Sequence, residues 1–257
     1  MQIRVAFLPS LARTVESSVC IVIDVLRATS VITTLFERGC PRVYLAASHD
    51  VARRAAAEQG LALCGETAGA KPEGFDFGNS PVEIANHDFS GRPAVLSTTN
   101  GTRAAMAVRR SPYIYFGAAV NVSAVAVEAW ECACEHDLDI VAVCSGTNGE
   151  FTLEDAMIAG LFVERLGLNS KRETVPKLAD SAIAAQRLWQ GEQNLLRGWM
   201  LGAHAPFLAD AGYGDDVGYC AQIDTCSAAP MVEASGTRQR CRWPVTLLTD
   251  DEVCADR

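Results

Sequence analysis

The sequence has no Cys-x-x-Cys pair, no run of basic residues and no unbroken apolar stretch long enough to cross a bilayer. Each absence removes a class of function. Ten cysteines without a Cys-x-x-Cys pair do not seed a zinc site. Cys132 and Cys134 form only a Cys-x-Cys on an expected helix. Cys20, Cys64 and Cys144 sit in or beside apolar strand-like runs, where a thiol behaves as a small hydrophobe. Buried, reduced thiols are therefore the expectation. The four histidines, His49, His87, His136 and His204, have no metal-type spacing, although His204, ahead of a helical segment, can serve acid–base chemistry. A net charge of −9 with no basic stripe excludes general binding to nucleic acid or anionic membrane, because either polyanion is repelled. The longest charge-free run, 111–127, is interrupted by Pro112, Gly117, Asn121 and Ser123 and is too broken for a transmembrane span. The N-terminus lacks the basic start, apolar centre and small-residue cleavage site of a secretory signal, so the expected compartment is the cytoplasm.

What is present is an alternation of strand-like and helix-like segments over most of the 257 residues. Near-continuous apolar runs at 19–25 and 139–144 read as central strands covered on both faces. Shorter strands are expected at 3–8, 42–46, 61–64, 94–96 and 113–116. Helices are expected near 28–38, 49–59, 121–136 and 152–166, and a helical stretch from about 175 to 208. The tail between 211 and 233 has room for one or two further strands. No linker divides the chain, so a single domain over 1–257, with room for two lobes, is expected. The fold class is α/β: an α/β/α layering around a largely parallel, if not purely parallel, sheet, with a helical C-terminal third.

The segment 94–103, Ala-Val-Leu-Ser-Thr-Thr-Asn-Gly-Thr-Arg, joins a strand to a helix through an almost unbroken row of hydroxyls, amide and glycine. Such a turn presents N–H groups at the positive end of a helix dipole and can cradle a phosphate. It can equally be an N-capped turn and nothing more. Acids stand at three other strand ends: Asp24, Glu66, and the pair Glu154 and Asp155. Structural alternatives exist for two of them. Asp24 can cap a helix or pair with Arg27, and Thr152 with Asp155 makes a capping-box pattern. In a parallel sheet these ends share one edge, so acids and loop can converge. At about 4 Å and an effective dielectric near 20, each carboxylate would repel each phosphate charge by roughly 4 kcal/mol. A divalent cation between them reverses that sign, and oxygen donors without His or Cys favour Mg²⁺. Metal-assisted phosphoryl transfer on a small anionic phosphorylated substrate follows as the mechanistic class.

Five ordered blocks then carry a resemblance: Ile-Asp-Val-Leu-Arg-Ala-Thr-Ser at 23–30, Gly65-Glu66, Gly-Phe-Asp-Phe-Gly-Asn-Ser-Pro at 74–81, Thr-Thr-Asn-Gly-Thr at 98–102 and Phe-Thr-Leu-Glu-Asp-Ala at 151–156. Over about residues 19–230 the chain resembles the 2-phosphosulfolactate phosphatase family. The resemblance implies a Mg²⁺-dependent hydrolase that converts 2-phosphosulfolactate to sulfolactate and phosphate on a route to coenzyme M. It implies that Asp24, Glu66 and Asp155 or Glu154 hold the metal, with Asp24, Arg27 and Asp155 as the catalytic set. Thr98, Thr99, Asn100, Gly101 and Thr102 would cradle phosphate, while Asn79 and Ser80 position the substrate. Arg13, Lys71 or Arg103 would serve as further clamps. Direct attack by water activated at the metal is preferred over Asp24 as nucleophile, because Leu26 stands where aspartyl-phosphate enzymes carry a second acid. Two alternatives remain. One is an isochorismatase-type cysteine hydrolase using Asp24 and Cys144, for which Lys71 is a poor middle lysine. The other is a non-catalytic anion-binding module. A homo-oligomer is compatible with the sequence and not specified by it.

Overall fold

A computed structural model describes residues 1–169, 175–233 and 241–249. Ten strands form one sheet: β1 (Gln2–Ala6), β2 (Ser18–Ile23), β3 (Val43–Ala46), β4 (Ala62–Gly65), β5 (Ala94–Ser97), β6 (Tyr113–Gly117), β7 (Asp139–Cys144), β8 (Lys177–Leu178), β9 (Met231–Val232) and β10 (Pro244–Leu248). The order across the sheet is β4-β5-β3-β10-β9-β6-β2-β7-β1-β8. Pairings within β4, β5, β3, β10 and β9 are parallel, as are those within β6, β2, β7, β1 and β8. The two sets run in opposite directions and meet at one antiparallel bridge, Tyr115 to Met231. The sheet is thus largely parallel and mixed.

Every residue of β2 is buried, as its unbroken β-branched run requires of a strand covered on both faces. Its alternation assigns each face to a separate core. Val19, Ile21 and Ile23 pack with residues of α5 (Val122–His136), α6 (Leu153–Asn169) and α7 (Asp180–Gly191). Cys20 and Val22 pack on the other face with α1 (Ala28–Glu37) and α4 (Gly101–Ala107). A smaller cluster gathers α2 (His49–Gln59) on Leu63 and Val95 of the far half of the sheet. Helices on both faces make the layering α/β/α. At Gly160 a Cβ would stand 2.0 Å from the carbonyl oxygen of Ala185, so the glycine lets α6 and α7 pack backbone to backbone. No helix among the described residues is long and apolar enough to cross a membrane.

The C-terminal third differs in detail from its continuous helical pattern. Residues 175–208 divide into edge strand β8, α7, α8 (Leu195–Trp199) and α9 (His204–Leu208). Asn194 makes one of the breaks, since its side chain accepts the Arg197 N–H at 3.0 Å and starts α8. A π-helical turn, Ala209–Tyr213, then leads into α10 (Gly214–Cys220). The tail contributes β9 within the expected segment and β10 beyond it, wedged between β3 and β9. A short helix α3 (Pro81–Ala85) follows the 69–80 loop, with Ser80 as its cap and Pro81 at its first position.

The opposed halves change how the strand ends meet. Asp24 and the 145–149 loop follow β2 and β7 in one set, while Glu66 and the 98–100 loop follow β4 and β5 in the other. The four ends do not share one edge of one parallel sheet; they reach a common cavity from two oppositely directed halves.

Candidate active site

That cavity has a volume of about 930 Å³, and Asp24, Arg27, Glu66, Asn79, Thr98, Thr99, Asn100, Glu154 and His204 are among the residues that line it. Asp24 leaves β2 at 6% exposure. Its Oδ1 accepts the Ala28 N–H at 3.2 Å and its carbonyl accepts the Thr29 N–H at 2.9 Å, so it caps the first turn of α1. Its Oδ2 faces the start of α4. A Cβ at Gly101 would lie 2.9 Å from that oxygen and 2.7 Å from Ala28 Cβ, so only glycine permits this approach. Burial raises the Asp24 carboxyl to about 6, the charges of Glu66 and Glu154 add to the rise, and the Ala28 N–H and His204 oppose it.

Arg27 does not pair with Asp24. Its Nη1 donates to Asp216 Oδ2 at 2.7 Å, its Nη2 donates to the Gly69 carbonyl, and its guanidinium carbon lies 4.1 Å from the Tyr213 ring centroid. Asp216 also accepts from Ser80 Oγ at 2.6 Å. Ser80 is thus engaged between Asp216 and the Glu83 N–H and lies outside the cavity lining. Its neighbour Asn79 does line the cavity, with a buried Oδ1 that has no hydrogen-bond partner.

Glu66 ties two loops together. Its Oε1 accepts the Thr99 N–H and its Oε2 accepts the Gly69 N–H, both at 2.8 Å. One N–H of the expected phosphate cradle is therefore already bound by a carboxylate. His49 spans the same loops, 3.0 Å from Ser97 Oγ and 2.7 Å from Thr67 Oγ1. Thr98 and Thr102 exchange 3.4 Å contacts across the turn, and Asn100 Oδ1 accepts the Asn148 N–H at 3.1 Å. Thr98, Thr99 and Asn100 face the cavity, whereas Gly101 and Thr102 stand behind it in α4.

The capping box at the start of α6 does not form. Thr152 Oγ1 is buried without a partner, while Asp155 accepts the Val25 N–H at 3.0 Å and the Gly146 N–H at 3.1 Å. Asp155 joins the ends of β2 and β7 from behind the cavity and is not part of its lining. Burial, and then the charges of Asp24 and Glu154, push its carboxyl well above the ordinary range. Glu154 does line the cavity, and its Oε1 lies 2.8 Å from His204 Nδ1. Burial alone would lower His204; the hydrogen bond and charge of Glu154, with the charge of Asp24, outweigh it and raise the imidazole above its usual value.

Cys144 is buried at the end of β7, and burial followed by the charges of Asp155 and Glu154 raises its thiol well above the ordinary value. That is the opposite of an activated nucleophile. Arg13, Lys71 and Arg103 lie outside the lining; Lys71 is 3.9 Å from Glu83 and Arg103 donates to Asn100 Oδ1 at 3.3 Å. Among the described residues, no three His, Cys, Asp or Glu side chains group closely enough to hold a metal by themselves. Sequence reasoning gives Tyr213 and Asp216 no role: they fall in the tail expected to hold one or two strands, its Asp216 region only compatible with the family pattern. Only the folded chain shows that Asp216, on α10, reaches Arg27.

Comparison with known proteins gives a consistent result. A family model described as 2-phosphosulpholactate phosphatase matches residues 7–235. A protein of Gloeobacter violaceus named probable 2-phosphosulfolactate phosphatase is 36% identical over 239 residues, covering 92% of this chain and 97% of its own. Proteins of the same name from Thermotoga petrophila and Thermus thermophilus are 38% and 34% identical, over 85% and 90% of this chain and 90% and 94% of theirs.

Proposed function

The chain belongs to the 2-phosphosulfolactate phosphatase family, and on that premise we propose that it is a phosphoric monoester hydrolase releasing phosphate from 2-phosphosulfolactate, or a similar phosphorylated 2-hydroxy acid, with Mg²⁺. The observation that carries the reading is the crowding of Asp24, Glu66 and Glu154 around one cavity that also holds Arg27. A phosphate dianion entering there meets like charge at every acid, which a divalent cation offsets.

The residues fit such an ion by the chemistry of their donors. Asp24 and Glu154 offer carboxylate oxygens, and Asn79 Oδ1 is a buried acceptor with no partner. Mg²⁺ keeps several waters and takes the rest of its shell from substrate oxygens, so it does not need a closed cage of protein side chains. Asp24, Glu154 and Asn79 would hold it, with Glu66 adding negative charge while fixing the two loops. When bound, the ion supplies charge compensation and polarises a phosphoryl oxygen.

The chain's own groups account for the rest. Arg27 neutralises an anionic oxygen of the substrate, and the Thr98 and Thr99 side chains with Asn100 set its orientation in the cavity. His204, whose Nδ1 is held by Glu154, carries the proton at Nε2 that the leaving oxygen needs. Water attacks phosphorus, the bond from phosphorus to the C2 oxygen breaks, and that oxygen takes up the His204 proton. A proton of the attacking water, shed by the phosphate so formed, returns to His204, giving the 2-hydroxy acid and inorganic phosphate. A panel of phosphorylated 2-hydroxy acids, with and without Mg²⁺, tests this. Mg²⁺-dependent phosphate release, highest with 2-phosphosulfolactate or a close analogue, is expected. Binding of these compounds without any release would favour the non-catalytic module.

A further inference from the structure

Arg27 is the sole Lys or Arg lining the cavity among the described residues, yet its ion pair is with an acid outside the lining. It is turned instead toward the C-terminal segment. Its partner Asp216 sits on α10, and both side chains are almost fully buried, at 2% and 3% exposure. Asp216 does not line the cavity. Its Oδ2 takes the Arg27 Nη1 hydrogen at 2.7 Å, while its Oδ1 takes Ser80 Oγ at 2.6 Å and the Val82 N–H at 3.4 Å. Protein donors therefore occupy both oxygens. Tyr213, one turn earlier, supplies the ring over which the guanidinium lies.

We propose that Asp216 is a positioning residue that acts through Arg27, with Tyr213 as its platform, so that the segment 213–216 sets how tightly the cavity binds an anion. This rests on the reading of Arg27 as the substrate-binding cation. The physical case is one of competing partners. A mobile guanidinium in a cavity carrying Asp24, Glu66 and Glu154 is drawn to those acids, where it would cover the oxygens that face the cavity. Asp216 holds it away from Asp24 and presents it in one orientation. A long, flexible side chain fixed in advance loses less freedom when it meets its ligand. A buried ion pair is in itself weak evidence for stability, so its geometry at the cavity wall has the stronger claim as its role.

The test is a double-mutant cycle read in two ways: calorimetric affinity for inorganic phosphate with Mg²⁺, and kcat and KM for phosphate release. Asp216→Asn keeps the size and the acceptor for Ser80 but removes the charge. It should weaken phosphate binding and raise KM by about tenfold or more, the scale of one charge-assisted hydrogen bond, with a smaller change in kcat. In an Arg27→Ala background the same substitution should change neither quantity by more than about twofold, because the group through which it acts is gone. Tyr213→Leu, which leaves the ion pair intact, should raise KM a few-fold in wild type and not in Arg27→Ala, and it serves if Asp216→Asn folds poorly. Losses that multiply in the double variants would overturn the proposal. If wild type binds phosphate but hydrolyses none of the panel, the hydrolase reading falls while the binding cycle still decides the role of Asp216. If wild type binds no phosphate, both fall.

Discussion

Replacing Asp24 with Asn should make the metal-free protein more stable and inactive at once. The structure gives the magnitude. Asp24 titrates near 3.8 in an unfolded chain and is raised to about 6 in the fold, chiefly by burial and then by Glu66 and Glu154. Below about pH 4 the carboxyl is neutral in both states and costs nothing. Between about 4 and 6 the native state holds more protons than the unfolded one, so stability falls as pH rises through that window. Above it the native state carries a buried charge at a cost of about 3 kcal/mol, taking about 1.4 kcal/mol for each unit of displacement. An Asn side chain still accepts the Ala28 N–H through its oxygen and carries no charge. Its variant should therefore match wild type near pH 4 and exceed it by up to about 3 kcal/mol at pH 8. For a chain of this size that corresponds to roughly 6–12 °C in the melting midpoint. Mg²⁺ should then raise the wild-type midpoint and leave that of the variant nearly unmoved, since an ion stabilises only the state that binds it. Thermal melts at both pH values, with chelator and with excess Mg²⁺, read all of this. A variant no more stable than wild type at pH 8 without metal would show that Asp24 is not the destabilised acid of this site.

Three further substitutions bear on the site. Thr152→Val removes a buried hydroxyl that has no partner, so urea denaturation should find it neutral or stabilising by up to about 1 kcal/mol, whereas a working cap would cost about that much. Gly101→Ala puts a methyl 2.7 Å from Ala28 Cβ and 2.9 Å from Asp24 Oδ2; overpacking of about 1–3 kcal/mol and at least a tenfold fall in phosphate release are expected, and wild-type turnover would refute the close approach. Cys144→Ala should keep activity within about threefold because that thiol is buried and held protonated, while a hundredfold loss would revive the cysteine-hydrolase reading.

Much of the fold can be read along the chain where one segment's own pattern decides its state. The run from Asp139 to Cys144 and the helix from His49 to Gln59 have the bounds that their periodicity implies. Strand β10 and helix α10 do not announce themselves in this way. Pro244–Leu248 is a strand because β3 and β9 stand on either side of it, and β3 comes from the opposite end of the sequence. The reversal between the two halves of the sheet rests on the single bridge from Tyr115 to Met231, which no local pattern encodes.

The site shows the same division more sharply. Acids at strand ends marked Asp24, Glu66 and the pair Glu154 and Asp155; the first three line the cavity and Asp155 stands behind it. Asp24 does cap the helix that follows it, but three other local assignments give way to remote partners. Arg27, three residues from Asp24, goes to Asp216; Asp155, three from Thr152, goes to the backbone of Val25 and Gly146; the Thr99 N–H, offered to an anion, goes to Glu66. The cause is common to the three. A buried polar group must find a partner, and at a strand end the sheet brings in backbone N–H groups and side chains from remote segments before a local helix turn can satisfy it. Short-range capping rules are drawn from helix ends in general, where solvent is the competitor. Here the competitor is another loop of the same site. It follows that the acids whose oxygens are already taken by backbone N–H groups, Glu66 and Asp155, hold the loops in place. Asp24 and Glu154 each keep an oxygen not so engaged, which is what the proposed role beside the ion and the substrate requires.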